Sequence, residues 1–193
     1  MSLPTVGLRN LSRAACLLGA VLALAACGKS NHPPTSENDG VYITAGPITY
    51  QLQVSRELNQ YATEDSQYLT GLPTGTASLT PTQEWYAVFL WAKNQTNRTQ
   101  TPATNFDIVD TQGKHYYPVA VNPQANPYAW TSRPLAPGEI EPGPDTTASF
   151  GPTQGALLLF KLDSSVYDNR PLTLEIRGPN PTRRLWGTIS LDL

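Results

Sequence analysis

The order of hydrophobic and polar residues predicts short β-strands over most of the chain. Ile48, Tyr50, Leu52 and Val54 alternate with polar residues, which is the period-2 pattern of a strand with one buried face. Further apolar runs predict strands at residues 85–94, 106–108, 115–121, 146–150, 156–162, 172–177 and 185–191. A turn sequence at residues 110–113 predicts a hairpin between the second and third of these runs. The 18 prolines and 14 glycines favour a loop-rich sandwich over a helical bundle.

One predicted strand, residues 85–94, is apolar on both of its faces. Neighbouring residues in a strand point to opposite sides of the sheet. One side therefore carries Tyr86, Val88, Leu90 and Ala92, and the other side carries Trp85, Ala87, Phe89 and Trp91. The first set suits a core between two sheets, whereas the second set needs a cover or a partner.

The nearest candidate cover is the segment of residues 57–80. Thr63 is the predicted N-cap of a short helix, with negative charge from Glu64 and Asp65 in its first turn, and Gly71 follows its end. Apolar residues lie beside these helix signals, so the segment has side chains that themselves need burial.

The side chains of Phe89 and Trp91 then have one of two environments. Either this segment covers both rings, with Tyr68 and Leu69 packed on Trp91, or the rings form an exposed apolar patch of the kind that marks a binding surface. The helix signals favour the cover.

The N-terminal residues have the parts of a bacterial secretory signal. Arg9 and Arg13 precede an apolar or small-residue run at residues 14–26, which is shorter than the roughly 20 residues that span a bilayer. The run ends in Leu-Ala-Ala-Cys-Gly, which resembles a lipobox. We therefore expect cleavage between Ala26 and Cys27 and a diacylglyceryl group on the Cys27 thiol, whose two acyl chains give stable membrane attachment.

These features define the expected mature chain. Residues 1–26 are the predicted signal peptide, residues 27–40 a lipidated flexible tether, and residues 41–193 one folded domain. The 13 basic residues fall to 11 when Arg9 and Arg13 leave, against 15 acidic residues, and this net charge of −4 argues against nucleic acid as a partner. Cys27 is the single cysteine of the mature chain, so no disulfide is expected.

Four short segments, taken in order, resemble the motifs of a known family. Residues 86–94, Tyr-Ala-Val-Phe-Leu-Trp-Ala-Lys-Asn, resemble a V-x-V-x-N strand, and residues 106–113 resemble the hairpin that follows it. Residues 135–138, Leu-Ala-Pro-Gly, resemble a Leu-x-Pro-Gly loop, and residues 155–161 resemble a return strand. In this order they are similar to an immunoglobulin-like family of unknown function. That family is common in lipoproteins of actinobacteria and other Gram-positive bacteria and is akin to secreted mycobacterial antigens.

The resemblance covers about residues 49–177 and agrees with the strand pattern. It implies an all-β fold, an antiparallel immunoglobulin-like β-sandwich of about seven or eight strands with one short helical insert. The segment at residues 57–80 and the loop at residues 122–133 depart from the short family core. The family has no established catalytic residues, so none is carried over.

Candidate catalytic and metal-binding groups are sparse. His32 and His115 are distant in sequence and Cys27 is the predicted lipid site, which disfavours a zinc centre. His115 has no diagnostic partner for nucleophilic catalysis. A loop with Asp163, Asp168 and Asn169 offers oxygen ligands for calcium but lacks the EF-hand pattern. We expect no catalytic residue, no metal site and no cofactor.

Two aromatic residues in a long Pro-rich loop are further candidates for partner binding. Tyr128 and Trp130 could anchor a protein or a sugar ring at one end of the sandwich. Alternatively they fold back and plug that end, which we favour. Tyr128, Trp130, Phe89 and Trp91 are accordingly the candidate partner-binding residues.

The sequence therefore predicts a cell-envelope lipoprotein, anchored through Cys27 on the extracytoplasmic side of the cell membrane. Its sandwich is expected to be a non-enzymatic interaction or adhesion module for an envelope protein or a glycan. The alternative is a small envelope hydrolase or ligand carrier, which needs a concave pocket with converging polar groups.

Overall fold

The computed structural model describes residues 32–191 of the chain. The predicted signal, the cleavage site at Ala26 and the lipidation site at Cys27 lie outside the described residues. The strands are β1 (Thr35–Ser36), β2 (Tyr42–Ala45), β3 (Ile48–Leu58), β4 (Gln83–Lys93), β5 (Asn105–Val109), β6 (His115–Tyr116), β7 (Ile140–Glu141), β8 (Ala156–Asp163), β9 (Leu172–Arg177) and β10 (Leu185–Leu191). The helical elements are α1 (Thr63–Ser66) with a following 3₁₀ turn (Gln67–Leu69), α2 (Thr147–Phe150), and a second 3₁₀ turn (Ser164–Asp168).

The strands form two sheets that pack as a β-sandwich, which confirms the predicted fold class. The strand order in the first sheet is β1-β10-β9-β5-β6. In the second sheet β2, β3 and β4 are neighbours, and β4 pairs along its other edge with β8 and then β7. Pairing between these strands is antiparallel except for β1 with β10. The sequence pattern did not predict β1, β2 and β7, which have at most four residues each.

Strand β4 is buried on both faces, as its composition predicted. Tyr86, Val88 and Leu90 lie in the main core between the two sheets. Trp85 and Phe89 lie in a second apolar cluster, called here the outer cluster, on the outer face of the second sheet. Burial of each large apolar side chain contributes about 1.5–3 kcal/mol, so this strand is a major source of stability.

A β-bulge at Gln53 reverses the alternation within β3. Leu52 lies opposite Leu90, but Val54 lies opposite Phe89, so β3 has one residue more than its partner at this point. Leu52 therefore faces the main core, whereas Val54 packs against the outer cluster. The alternation in the sequence placed Val54 on the same face as Leu52, and this prediction is wrong because the extra residue shifts the phase of the strand.

The predicted hairpin joins β5 to β6. Its turn is held by Asp110, whose Oδ1 accepts hydrogen bonds of 2.9 Å from the backbone N–H groups of Gln112 and Lys114. Gly113 takes the left-handed conformation, with φ of 78°. The second strand ends at Tyr116 and does not continue to residue 121 as predicted.

Three local boundaries differ from those predicted. Residues 146–150 form the helical turn α2 and not a strand, because a run of five residues is too short to distinguish the two periods. Thr63 is the first residue of α1, and Ala62 occupies the N-cap position. The folded chain begins before Val41, since Thr35–Ser36 pairs with β10.

Asn94, at the end of β4, connects two of the motifs that carry the family resemblance. Its side chain is fully buried, and Nδ2 donates hydrogen bonds to the backbone oxygens of Leu135 at 2.8 Å and Arg98 at 2.7 Å. Its Oδ1 accepts from the N–H of Thr96 at 2.9 Å. The N–H of Gly138 donates to the backbone oxygen of Asn94 at 2.8 Å, so the Leu-Ala-Pro-Gly loop is fixed to this strand end.

Candidate functional site

The outer face of β4 has a covered half and an open half. Residues 57–80, called here the insert, lie over Trp85 and Phe89, which are buried. The Tyr68 ring packs edge-on against Phe89 with centroids 5.0 Å apart. Trp91, two residues along the strand, is only half-buried. The predicted cover is therefore confirmed for Phe89. Trp91 is half-buried outside the outer cluster, and the Tyr68 ring that we expected on Trp91 packs on Phe89 instead.

An ion pair between the buried Asp65 carboxylate and the partly exposed Arg56 fixes the insert to β3. Asp65 accepts a hydrogen bond from Nη2 of Arg56 at 2.5 Å and another from the N–H of Asn59 at 2.8 Å. The Arg56 hydrogen bond holds the pKa of the Asp65 carboxyl below its usual range, against the effect of burial. The sequence indicated Asp65 only as a helix-start residue. The pairing of Asp65 with Arg56 depends on how β3 lies beside the insert, which no local sequence pattern shows.

Tyr128 belongs to the covered half of the face. It is buried, its ring lies 4.8 Å from the Tyr68 ring, and its hydroxyl donates to Oε1 of Gln67 at 2.6 Å. The neighbouring Asn126 donates through Nδ2 to the backbone oxygen of Tyr68 at 3.0 Å. The loop thus folds back onto the insert, and Tyr128 is not exposed to a partner.

Trp130 also folds back, against the main core. Its indole N–H lies 3.1 Å from the backbone oxygen of Ala103 and 2.6 Å from Oγ of Ser132. Its ring is 6.2 Å from that of Tyr50 and 5.4 Å from that of Phe106, centroid to centroid. Both loop aromatics therefore fold back as we favoured, but only Trp130 packs against the core between the sheets, whereas Tyr128 packs on the outer face of the second sheet.

The open half of the outer face forms a groove of about 440 Å³ around Trp91. Phe150 at the end of α2 is 77% exposed and Tyr42 of β2 is 38% exposed, so aromatic rings border the groove. The lining residues are Tyr42, Gln51, Gln53, Trp91, Ile140, Pro144, Ser149, Phe150, Gln154 and Gly155. None of them carries a charged side chain.

Two amide side chains of β3, those of Gln51 and Gln53, line this groove. Nε2 of Gln53 donates to Oε1 of Gln51 at 2.7 Å, and Nε2 of Gln51 donates to the backbone oxygen of Gly40 at 2.6 Å. Gly155 has φ of 126°, and a Cβ there would lie 3.1 Å from Cβ of Phe89 and 3.2 Å from Cγ of Gln53. The missing side chain at Gly155 therefore lets this backbone segment lie directly against Phe89 and Gln53 at the base of the groove.

A separate polar cluster lies on β5, β6 and β9 of the first sheet. Ligand atoms of Asp107, His115 and Glu175 lie within 4.8 Å of one another, which is close enough to share a metal ion. The buried Asp107 carboxylate is already 2.6 Å from Nη2 of Arg183 and 2.9 Å from Nε of Arg177, and Arg177 also pairs with Glu175. Two guanidinium groups beside these carboxylates oppose a bound cation. Nδ1 of His115 lies 3.4 Å from Oδ2 of Asp107, beside the ion pairs of Asp107 with the two arginines.

The acidic loop considered for calcium has a different role. Oδ2 of Asp163 pairs with Nζ of Lys114 across to the β5–β6 turn, and Asp168 is exposed. Among residues 32–191, these acidic side chains do not form a group of three close ligands.

Glu84 is an inward-facing carboxyl at the other end of β4, on the same side as Tyr86. Its Oε2 accepts a hydrogen bond from the Tyr167 hydroxyl at 3.1 Å, while Oε1 is shielded from solvent without a hydrogen-bond partner in the described chain. Burial, and then the charge of Glu57, raises the pKa of Glu84 to about 7, and Arg170 opposes this rise. The carboxyl is not among the residues that line the groove.

Comparison with known proteins identifies a fold but no family. In residues 32–191 no helix has the length and apolar character to cross a membrane. No protein family and no curated protein matches the sequence.

Two solved structures are similar in architecture. The YjhA protein from Bacillus subtilis matches with a TM-score of 0.50 and 11% identity over 81% of this chain and 99% of that one. An uncharacterized β-sandwich protein from Clostridium difficile 630 matches with a TM-score of 0.45 and 10% identity over 86% of this chain and 99% of that one. At such low identity the likeness to YjhA shows the fold alone, and this chain is a β-sandwich.

Proposed function

We propose that this protein is a lipoprotein of the cell envelope and that its β-sandwich is a non-enzymatic interaction module. In this proposal a lipid on Cys27 holds the domain on the extracytoplasmic side of the cell membrane. The domain belongs to the immunoglobulin-like lipoprotein family that its motifs resemble. An envelope protein or a glycan binds in the groove around Trp91.

The half-open outer face of β4 is the observation that carries this proposal. The insert and the loop with Tyr128 bury one half of the face, yet Trp91 stays half-buried and Phe150 beside it is 77% exposed. Burying the Phe150 side chain is worth about 1.5–3 kcal/mol, so its exposure leaves that free energy available to a partner. Aromatic side chains that stay exposed on an otherwise covered sheet face are typical of an interaction surface.

The groove lining supports an interaction module over the alternative of a hydrolase. Its ten residues include no histidine, cysteine, carboxylate or lysine that could act as a general acid, base or ligand. Oγ of Ser149, its hydroxyl group, donates to the backbone oxygen of Pro144 at 2.8 Å. That serine has no base beside it in the lining, so it lacks the pairing that activates a nucleophile.

Photo-crosslinking from the groove tests the proposed binding site. We would replace Phe150 with p-benzoylphenylalanine in the full lipoprotein and irradiate intact cells. A crosslinked product is expected at Phe150, and the added change Trp91→Ala should abolish it. Tyr61 is 89% exposed and lies outside the groove, so the same probe there is the matched control. Equal products from both positions, or none from Phe150, would contradict the site.

The proposed anchor is tested by Cys27→Ala with a radiolabelled fatty acid. The thiol is the atom that would carry the diacylglyceryl group, so the variant should lose the label and remain an unprocessed or mislocalised precursor. Mature protein that stays equally membrane-bound in the variant would overturn the lipoprotein assignment.

A further inference from the structure

We propose that the ligand of the Trp91 groove is an uncharged saccharide of the cell envelope. This inference rests on the proposed function, because it assigns a chemical class to the ligand of the same groove. It follows from three properties of the lining: exposed aromatic side chains, paired amide side chains and the lack of charged side chains.

The aromatic residues supply surfaces on which sugar rings can stack. Trp91 is half-buried in the groove, and Tyr42 and Phe150 border it with 38% and 77% of their surfaces exposed. The C–H groups on one face of a sugar ring are apolar and weakly positive, and the faces of aromatic rings are apolar and carry partial negative charge. Stacking thus removes apolar surface from water on both partners while the hydroxyl groups of the sugar stay at the ring edge.

The amide residues supply hydrogen-bonding groups for those hydroxyls. Each glutamine side chain has two N–H donors and an acceptor oxygen, and a sugar hydroxyl needs both kinds of partner. The hydrogen bonds from Gln53 to Gln51 and from Gln51 to Gly40 fix two of the amides in place. Each bond uses one N–H, so every amide keeps further capacity for a ligand. A polar site that is already ordered loses less entropy on binding.

The charge of the lining distinguishes a saccharide from the other envelope polymers. No lining residue is ionised, so the groove has no partner for a phosphate or a carboxylate, whose desolvation would go uncompensated. The mature chain is also net acidic when the signal arginines are removed, with 11 basic against 15 acidic residues, which disfavours anionic polymers at longer range. A neutral hydroxyl-rich chain carries neither penalty.

Calorimetric titration of the lipoprotein in neutral detergent micelles tests this inference. The probes are gluco-, manno- and galacto-oligosaccharides, with an oligogalacturonate as the charged comparison. We expect at least one neutral series to bind more tightly than the oligogalacturonate. Trp91→Ala and Phe150→Ala should each weaken that binding at least tenfold, and Tyr61→Ala should leave it unchanged. Phe150 is exposed, so its variant keeps the fold even if Trp91→Ala unfolds.

Other outcomes would overturn the inference in separable ways. Absence of binding by all neutral probes, or binding that Phe150→Ala leaves intact, refutes the saccharide assignment. If a protein crosslinks at Phe150 and no saccharide binds, the saccharide inference fails while the proposed interaction module stands. If neither a crosslink nor a saccharide is found, the proposed function fails as well.

Discussion

The Tyr68 ring stands edge-on to the Phe89 ring at a centroid distance of 5.0 Å, and this pair marks where the cover over β4 ends. On one side of it, the outer cluster buries Trp85 and Tyr128 together with Phe89. On the other side, Trp91 lies in the open groove. Strand β4 therefore contributes side chains to the main core, to the outer cluster and to the candidate binding surface.

Removing the Tyr68 ring should destabilise the protein strongly. Tyr68 is almost fully buried, and truncation of a buried aromatic residue to alanine costs about 3–5 kcal/mol through lost burial and the cavity left behind. We expect Tyr68→Ala to lower the free energy of unfolding by this amount in urea. Tyr61→Ala changes an exposed ring of the same insert and should stay within about 0.5 kcal/mol of the wild type. Similar losses in both variants would show that the insert does not act as a cover.

The ion pair between Asp65 and Arg56 should stabilise the protein in a pH-dependent way. The pKa of Asp65 is lowered in the folded state, so its contribution is present above the unfolded pKa and is lost as the pH falls through the folded pKa. Asp65→Asn should cost about 1–2 kcal/mol near neutral pH, below the usual value for a charged hydrogen bond because Arg56 is partly solvated.

Urea unfolding near neutral pH and at about pH 3 measures this difference. The cost of Asp65→Asn should shrink in acid, because the unfolded chain binds the Asp65 proton more tightly than the folded state, whose carboxyl has a lowered pKa. Glu64→Gln removes the adjacent, exposed carboxyl of α1 and is the matched control, for which little change is expected. A cost that is independent of pH would argue against the ion pair as its cause.

Asn94→Ala should detach the Leu-Ala-Pro-Gly loop from β4. The substitution removes the Nδ2 donor to the backbone oxygens of Leu135 and Arg98 and the Oδ1 acceptor of the Thr96 N–H, and each lost hydrogen bond costs about 0.5–1.5 kcal/mol. We expect a lower melting temperature and faster amide hydrogen exchange at Gly138, whose N–H bonds to the Asn94 backbone. Asn97→Ala alters an exposed asparagine three residues away and should leave both measurements unchanged.

The sequence predicts the strands that obey a simple periodicity and fails where the chain departs from it. The two-sided burial of β4 could be predicted because alternate residues of eight consecutive apolar positions must face both ways. The phase of β3 could not, because the extra residue at Gln53 is visible only against its partner strand. Gln51 and Gln53, by contrast, are two residues apart and both line the groove, as the alternation of a strand places them.

The candidate site could be predicted only in part, because contacts between residues distant in sequence determine which rings are covered. The sequence predicted the same environment for Phe89 and Trp91, since they share a face of one strand. Their environments separate because the insert is held over Phe89 by contacts distant in sequence, such as Asp65 with Arg56. The contributions of Phe150 and Gln154 depend on α2, where the sequence predicted a strand.

Glu84→Gln should stabilise the protein at high pH and have little effect in acid. Burial raises the pKa of Glu84 from its ordinary value of 4.5 to about 7, so the folded state binds this proton more tightly than the unfolded state. The contribution of the group is fully present below its unfolded pKa and is lost as the pH rises through about 7. Glutamine imitates the protonated carboxyl and does not ionise, so the variant avoids that loss.

The expected gain is on the order of 1 kcal/mol above neutral pH, because solvent near this partly open strand end screens the charge. Urea unfolding at pH values on both sides of 7 measures it, with the exposed Glu37→Gln as the control. Glu57→Gln removes the second cause of the raised pKa, so it should recover part of the same gain. Parallel stability curves for Glu84→Gln and the wild type would show that Glu84 ionises in the folded protein as it does in the unfolded chain.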